Sequence, residues 1–312
     1  MTQPPHVPST PRREALGLVL GLLGVVIFGG TLPATKLALA DFSAGFITFG
    51  RAALAGAAAA VLLLALRRPW PRGRLRPLLA SALMLVFAFP GFMALAMGTV
   101  PASHGGVVLG VLPLATAVFA ALLAGERPSP RFWAWSAAGA ALVVGFALAD
   151  SGARLTPGDA WLLAAGLCGA LGYVIFGKLS RAIPGWEVIS WAMVLALPAS
   201  ALGALLTWRP GFAAAAPASV AALLYAAFFS MFLGFFAWNA GLAMGGIARV
   251  SQVQLLQTFV TLALAALLLG EPITPLTLAC ALAVAAVVWR GARARVAPAK
   301  ADQTSRITSK PP

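Results

Sequence analysis

Side chains able to do chemistry are scarce in this chain of 312 residues, so each one is informative. The densest set is Ser251, Gln254, Thr258 and Thr261. They recur at three- and four-residue spacing, which places them on one face of a helix with Gln257 beside them. Amides and hydroxyls turned toward lipid would lack partners, so such a stripe must face protein or a wet cavity. Hydrogen bonding between helices is one way to meet that demand, and lining a polar cavity is the other. Trp238 with Asn239, and Tyr173, Tyr225 and Ser230, are further candidates for a lining, with core packing as the competing account.

Arg51 and Lys36 are cations inside or at the end of apolar runs, where charge is expensive and therefore a pointer to function. Arg51 must reach carbonyls, a cavity or an anion, and a structural role at a helix junction competes with substrate contact. Lys36 has two uses open to it, a carboxylate or phosphate of a ligand, or lipid headgroups. His104 opens an apolar run and reads as a cap or surface group. Glu126 and Glu271 stand just before prolines, where a carboxylate can cap the helix that follows.

Enzymatic chemistry is poorly supplied. The two histidines, His6 and His104, lie far apart, and no mid-span carboxylate offers a proton relay. Cys168 and Cys280 sit in apolar runs without a CxxC pattern. No metal, no cofactor and no catalytic residue is therefore expected, and the absence of a Walker loop excludes a self-contained ATP-driven pump.

The elements that hold these residues follow from composition. Hydrophobic residues make up 61% and charged residues 10%, with a mean hydropathy of +0.92. A soluble domain carries about a quarter charged residues, so this is an all-α integral membrane protein. Cutting at Pro, Gly and charge clusters gives ten spans, near 15–35, 44–66, 77–97, 102–124, 132–149, 158–178, 186–207, 217–240, 246–269 and 273–291. The formal charge of +14 reads as topology and not as a nucleic-acid footprint. With the N-terminus taken as cytoplasmic, eighteen Lys and Arg fall inside and only Lys36, Arg154 and Arg209 outside. Both ends of the chain are then cytoplasmic, in a multi-pass inner (plasma) membrane protein. Residues 1–14 and 294–312 read as polar tails, the second of them disordered.

The chain also repeats itself. Superposing Glu126 on Glu271, a shift of 145 positions, aligns Gly125 with Gly270 and Thr116 with Thr261. The motif ALAMG at 94–98 likewise answers GLAMG at 241–245. Two five-span units result, 15–150 and 157–293, and because five is odd the second enters the membrane from the opposite side. The stretch of the first unit that corresponds to the polar stripe, Gly106, Leu109, Pro113 and Thr116, is far less polar, which favours cavity lining over scaffolding. Pro33, Pro90, Pro113 and Pro198 should interrupt their helices, and Gly17 with Gly21 and Gly106 with Gly110 are spaced for close helix contact.

With IFGGTLPATKLAL at 27–39, FITFGRAALAG at 46–56, and LGVLPLATAVFAALLAGERPS at 109–129 answered by LLQTFVTLALAALLLGEPIT at 255–274, the chain resembles the drug/metabolite transporter superfamily. The resemblance is to its ten-helix exporters with two EamA domains, and covers nearly the whole chain. It departs from that pattern at Phe28 and at Thr258, which stands opposite Pro113. The resemblance implies a bacterial inner-membrane carrier whose first four helices in each half line a central cavity, with the fifth and tenth outside. The expected activity is export of a small metabolite, amino-acid-like by resemblance, by alternating access between the halves. A multidrug or lipid-linked carrier is the alternative, and a non-transporting scaffold or an intramembrane enzyme are those of another class. Expected partners are the small-molecule substrate and membrane lipid, without nucleic acid, and a homodimer is left open.

Overall fold

The computed structural model describes residues 11–150, 156–293 and 296–297. Residues 1–10, Arg154 and most of the second tail, with the disorder expected there, lie outside the described residues.

Among the described residues, ten helices run back and forth. The first repeat holds α1 (Pro11–Gly29 and, after a break at Gly30, Thr31–Ala38), α2 (Ala44–Ala65), α3 (Leu75–Met97), α4 (Ala102–Ala124) and α5 (Pro130–Asp150). The second holds α6 (Pro157–Leu179), α7 (Gly185–Thr207), α8 (Pro217–Gly245), α9 (Ile247–Leu269) and α10 (Pro275–Ala292). Eight of these are long and apolar enough to cross a membrane, and α10 carries a shorter apolar stretch. Five crossings per repeat place the second repeat upside down relative to the first. A two-residue antiparallel ladder joins β1 (Arg127–Pro128) to β2 (Val296–Ala297) beside the bundle.

Local sequence explains the helix ends. Thr156 and Asp159 form a capping box on α6, and Ser43 and Thr274 accept from Phe46 and Thr277 at the starts of α2 and α10. At the ends of α4 and α9, Gly125 and Gly270 both adopt φ of 66°, a left-handed conformation that glycine enters without strain. The next amide in each case, Glu126 or Glu271, reaches back to Ala120 O or Ala265 O at 3.3 Å. The repeat is thus visible in backbone geometry as well as in letters.

Packing pairs the halves symmetrically: α2 lies on α7, α4 on α9, α5 on α10, while α1 crosses α8 as α6 crosses α3. The α1–α8 crossing is a meeting of glycines. A Cβ on Gly17 would fall 2.6 Å from Gly245 N, and one on Gly241 would fall 2.8 Å from Gly17 O. Side chains from both repeats fill the main core, including Phe28, Tyr173, Phe176, Phe235 and Trp238. Val107, Phe146, Cys280 and Val284 form a separate cluster joining α4, α5 and α10 at the side.

Several helices change pitch in mid-span. α3 passes through a π-helical stretch, Leu83–Ala88, just before Pro90, and α4 tightens to 3₁₀ at Leu109–Val111 before Pro113. A proline without an N–H releases the bonding that would hold regular α geometry there. α8 (π at Tyr225–Leu233) and α9 (3₁₀ at Gln254–Leu256) break in the same way without any internal proline. Pro198, by contrast, lies inside an unbroken α7.

Candidate functional site

These breaks converge on one small cavity between the repeats. Thr31 follows the break in α1, Leu85 lies in the π stretch of α3, and Leu109 is in the 3₁₀ turn of α4. Ser230 and Met231 come from the π stretch of α8, and Gln257 from the residue after the 3₁₀ turn of α9. Helical irregularity of this kind turns backbone and side chains toward a helix interior, and π stretches recur at functional sites. The remaining wall is aromatic, built of Phe28, Phe89, Tyr173 and Phe235, with ring centroids of Phe28 and Phe235 5.0 Å apart. α5, α7 and α10 contribute nothing to the lining.

Of the residues singled out from sequence, Arg51, Tyr173, Ser230 and Gln257 meet at this cavity. Arg51 is buried; its Nη2 donates to the Ser230 hydroxyl at 3.4 Å, while Nε has no acceptor among the described residues. Gln254 stands just behind: its Nε2 donates to Tyr173 Oη at 3.2 Å and approaches Gln257 Oε1 at 3.5 Å. Gln257 in turn donates to Phe28 O at 3.4 Å.

Thr258 and Thr261 serve helix packing, donating to Gly106 O at 3.0 Å and Gly29 O at 2.9 Å, whereas Ser251 donates to Ala248 O of its own helix at 2.9 Å. None of the three lines the cavity. Trp238 is fully buried against Phe28 and Tyr173, and Asn239 donates to Gly185 O at 3.1 Å, tying α8 to the start of α7. Tyr225 gives its hydroxyl to Ile27 O at 2.7 Å. Lys36 donates to Met97 O and Val100 O, at 3.2 and 2.8 Å, instead of facing the cavity.

Sequence reasoning missed Thr31, whose hydroxyl lies 2.6 Å from that of Ser230 across the repeats. The signal was the Gly29–Gly30 pair immediately before it. It also assigned Glu126 and Glu271 to the wrong helices. Each caps a helix of the opposite repeat: Glu126 accepts from Ile247 N and Ala248 N at 3.0 and 2.8 Å, and Glu271 from Ala102 N and Ser103 N at 2.9 Å each. The left-handed glycine before each glutamate swings it away from its own chain continuation, and Ser129 and Thr274 cap α5 and α10 instead.

These two sites are mates under the same 145-residue shift, and so are their surroundings. Arg181 pairs with Glu126 at 2.7 Å, and its mate Lys36 contributes positive charge at Glu271. Arg249 pairs with Glu14, and their mates His104 and Asp159 pair at 2.7 Å. His104 is therefore buried and hydrogen-bonded to Asp159, not a surface cap. One cluster lies at the face where α1 begins, the other at the opposite face. Each joins one repeat to the other.

The comparisons with known proteins agree with this architecture. The family described as EamA-like transporter family matches twice, at residues 15–148 and 156–289. The chain is 46% identical over 258 residues to the uncharacterized transporter YdeK of Bacillus subtilis (strain 168), spanning 82% of this chain and 90% of that protein. It is 28% identical over 268 residues, 82% of this chain and 86% of the other, to a probable terminal-alkyne amino-acid exporter of Streptantibioticus cattleyicolor. A crystal structure with 21% identity shares the fold, with a TM-score of 0.64 over 88% of this chain and 96% of that one. With two repeats matched in order and a shared cavity between them, the chain belongs to the EamA-like transporter family.

Proposed function

We propose that this transporter exports a small, amino-acid-like metabolite by alternating access, with the cavity between the inverted repeats as its binding site. The observation that carries this reading is the convergence of five pitch breaks, in α1, α3, α4, α8 and α9, on a cavity lined from both repeats. Inverted repeats can exchange conformations and so expose one site to either face in turn. Thr31, Ser230, Arg51, Tyr173 and Gln257 are its polar contacts, with Gln254 holding the last two in place. Thr258 and Thr261 act by fixing helix positions. The arginine-rich α2–α3 connection, Arg67, Arg68, Arg72, Arg74 and Arg76, supports a cytoplasmic location for the face where α1 begins.

In this mechanism the Glu126 and Glu271 clusters are gates. Opening one face breaks the cap of Glu126 on α9, and opening the other breaks the cap of Glu271 on α4. The carboxylates can be re-solvated when released, so neither gate strands a charge in lipid. The test is efflux of radiolabelled amino acids from proteoliposomes containing the purified chain. Saturable, counter-flow-stimulated efflux of one class is expected. Efflux no faster than from protein-free liposomes across the panel would remove the transport reading for that class.

A further inference from the structure

Among the described residues one buried charge stands apart. The buried carboxylates Glu126, Asp159 and Glu187 each have a basic side chain as partner, Arg181, His104 and Arg68. Arg51 is buried, carries a charge, and has no carboxylate partner among the described residues. We propose that Arg51 binds the carboxylate of an organic acid with an apolar body, and that the ligand's amino group, when it has one, is not required. The proposal rests on the reading of this cavity as the transport site and narrows its substrate class.

A guanidinium presents five donors in a rigid fork that matches the two oxygens of a carboxylate. In Arg51 a single long contact, 3.4 Å to Ser230, is filled and Nε is open. The Ser230 hydroxyl that it meets lies 2.6 Å from the Thr31 hydroxyl, and one of the two hydroxyl hydrogens joins them. One hydroxyl hydrogen therefore remains that a third oxygen can accept. A carboxylate would satisfy both shortages together, and no other group lining the cavity does so.

The opposite charge finds nothing here. No Asp or Glu lines the cavity, so an ammonium group would have only rings and a neutral amide to meet, beside a fixed positive charge. The walls, Phe28, Phe89, Tyr173 and Phe235, suit an aromatic or branched aliphatic body. This also weighs against a cationic multidrug substrate.

The decisive experiment compares five labelled compounds of one shape in proteoliposomes of the full chain: phenylalanine, N-acetylphenylalanine, 3-phenylpropionate, phenylalanine amide and 2-phenylethylamine. The three acids should be moved with apparent affinities within about tenfold of each other. The amide and the amine should be weaker by about a hundredfold, since a site built to hydrogen-bond one group rejects analogues lacking it. Arg51→Gln should abolish that preference while leaving a folded, monodisperse protein; if it does not fold, the wild-type panel decides alone. Transport of the amide or amine as well as the acids overturns the carboxylate assignment and leaves transport standing. Transport of phenylalanine without 3-phenylpropionate overturns the dispensable amine. Movement of none of the five overturns this proposal, and if a broader amino-acid panel is also inert the transport reading falls with it.

Discussion

Glu271 shows how much a single side chain can hold. It accepts two backbone amides from α4, which start a helix whose first N–H groups would otherwise be orphaned. Burial of its carboxyl works to raise its pKa, but the hydrogen bonds from Ser103 and Ala102 and the charge of Lys36 outweigh this and hold it below the usual carboxylate range. A depressed pKa contributes stability above the unfolded value of about 4.3, and that contribution is lost as pH falls through the lower folded value. Glu271→Gln should therefore cost about 1–3 kcal/mol at pH 7, read by thermal unfolding in detergent. The gap between the two proteins should narrow as pH falls below about 4.3, and a gap that stays constant down to about pH 2 would contradict the account. The letters Gly-Glu-Pro made a capping carboxylate legible, but not its target, because that depends on a left-handed glycine and on a helix more than a hundred residues away in sequence.

Among the elements, the spans were readable to within a few residues, since polar letters, Pro and Gly mark every end. The breaks in α3 and α4 were readable too, from Pro90 and Pro113. Those in α8 and α9 were not. Their sequences hold no internal proline to mark the change of pitch. The polar stripe of α9 was likewise visible as a stripe, but periodicity alone could not tell Gln257, at the cavity, from Thr258, on Gly106 O. The small-residue spacing at Gly17 and Gly21 did mark a real crossing, with Gly241 and Gly245 on α8. Gly17→Ala must displace backbone and should destabilise by about 1–3 kcal/mol. Gly145→Ala on α5 meets no atom within 4 Å and should stabilise by about 0.5–1 kcal/mol in the same unfolding assay. Equal effects at the two positions would show that the α1–α8 approach is looser than described.

For the whole molecule, the 145-residue shift relates more than sequence. It carries the capping glutamates, their basic companions, the left-handed glycines and the Glu14–Arg249 and Asp159–His104 pairs onto one another. Two matched clusters at opposite faces, each tying one repeat to the other, are what a two-gate carrier needs. The central claim is that either gate can be released separately to expose the same cavity. It is tested most directly by cysteine accessibility: Gln257→Cys in a background with Cys168 and Cys280 replaced by Ser, labelled in oriented proteoliposomes with a membrane-impermeant maleimide. Glu126→Gln should raise labelling several-fold from the face where α1 begins, and Glu271→Gln should raise it from the opposite face. Labelling that rises from the same face in both variants, or in neither, would contradict the two-gate account.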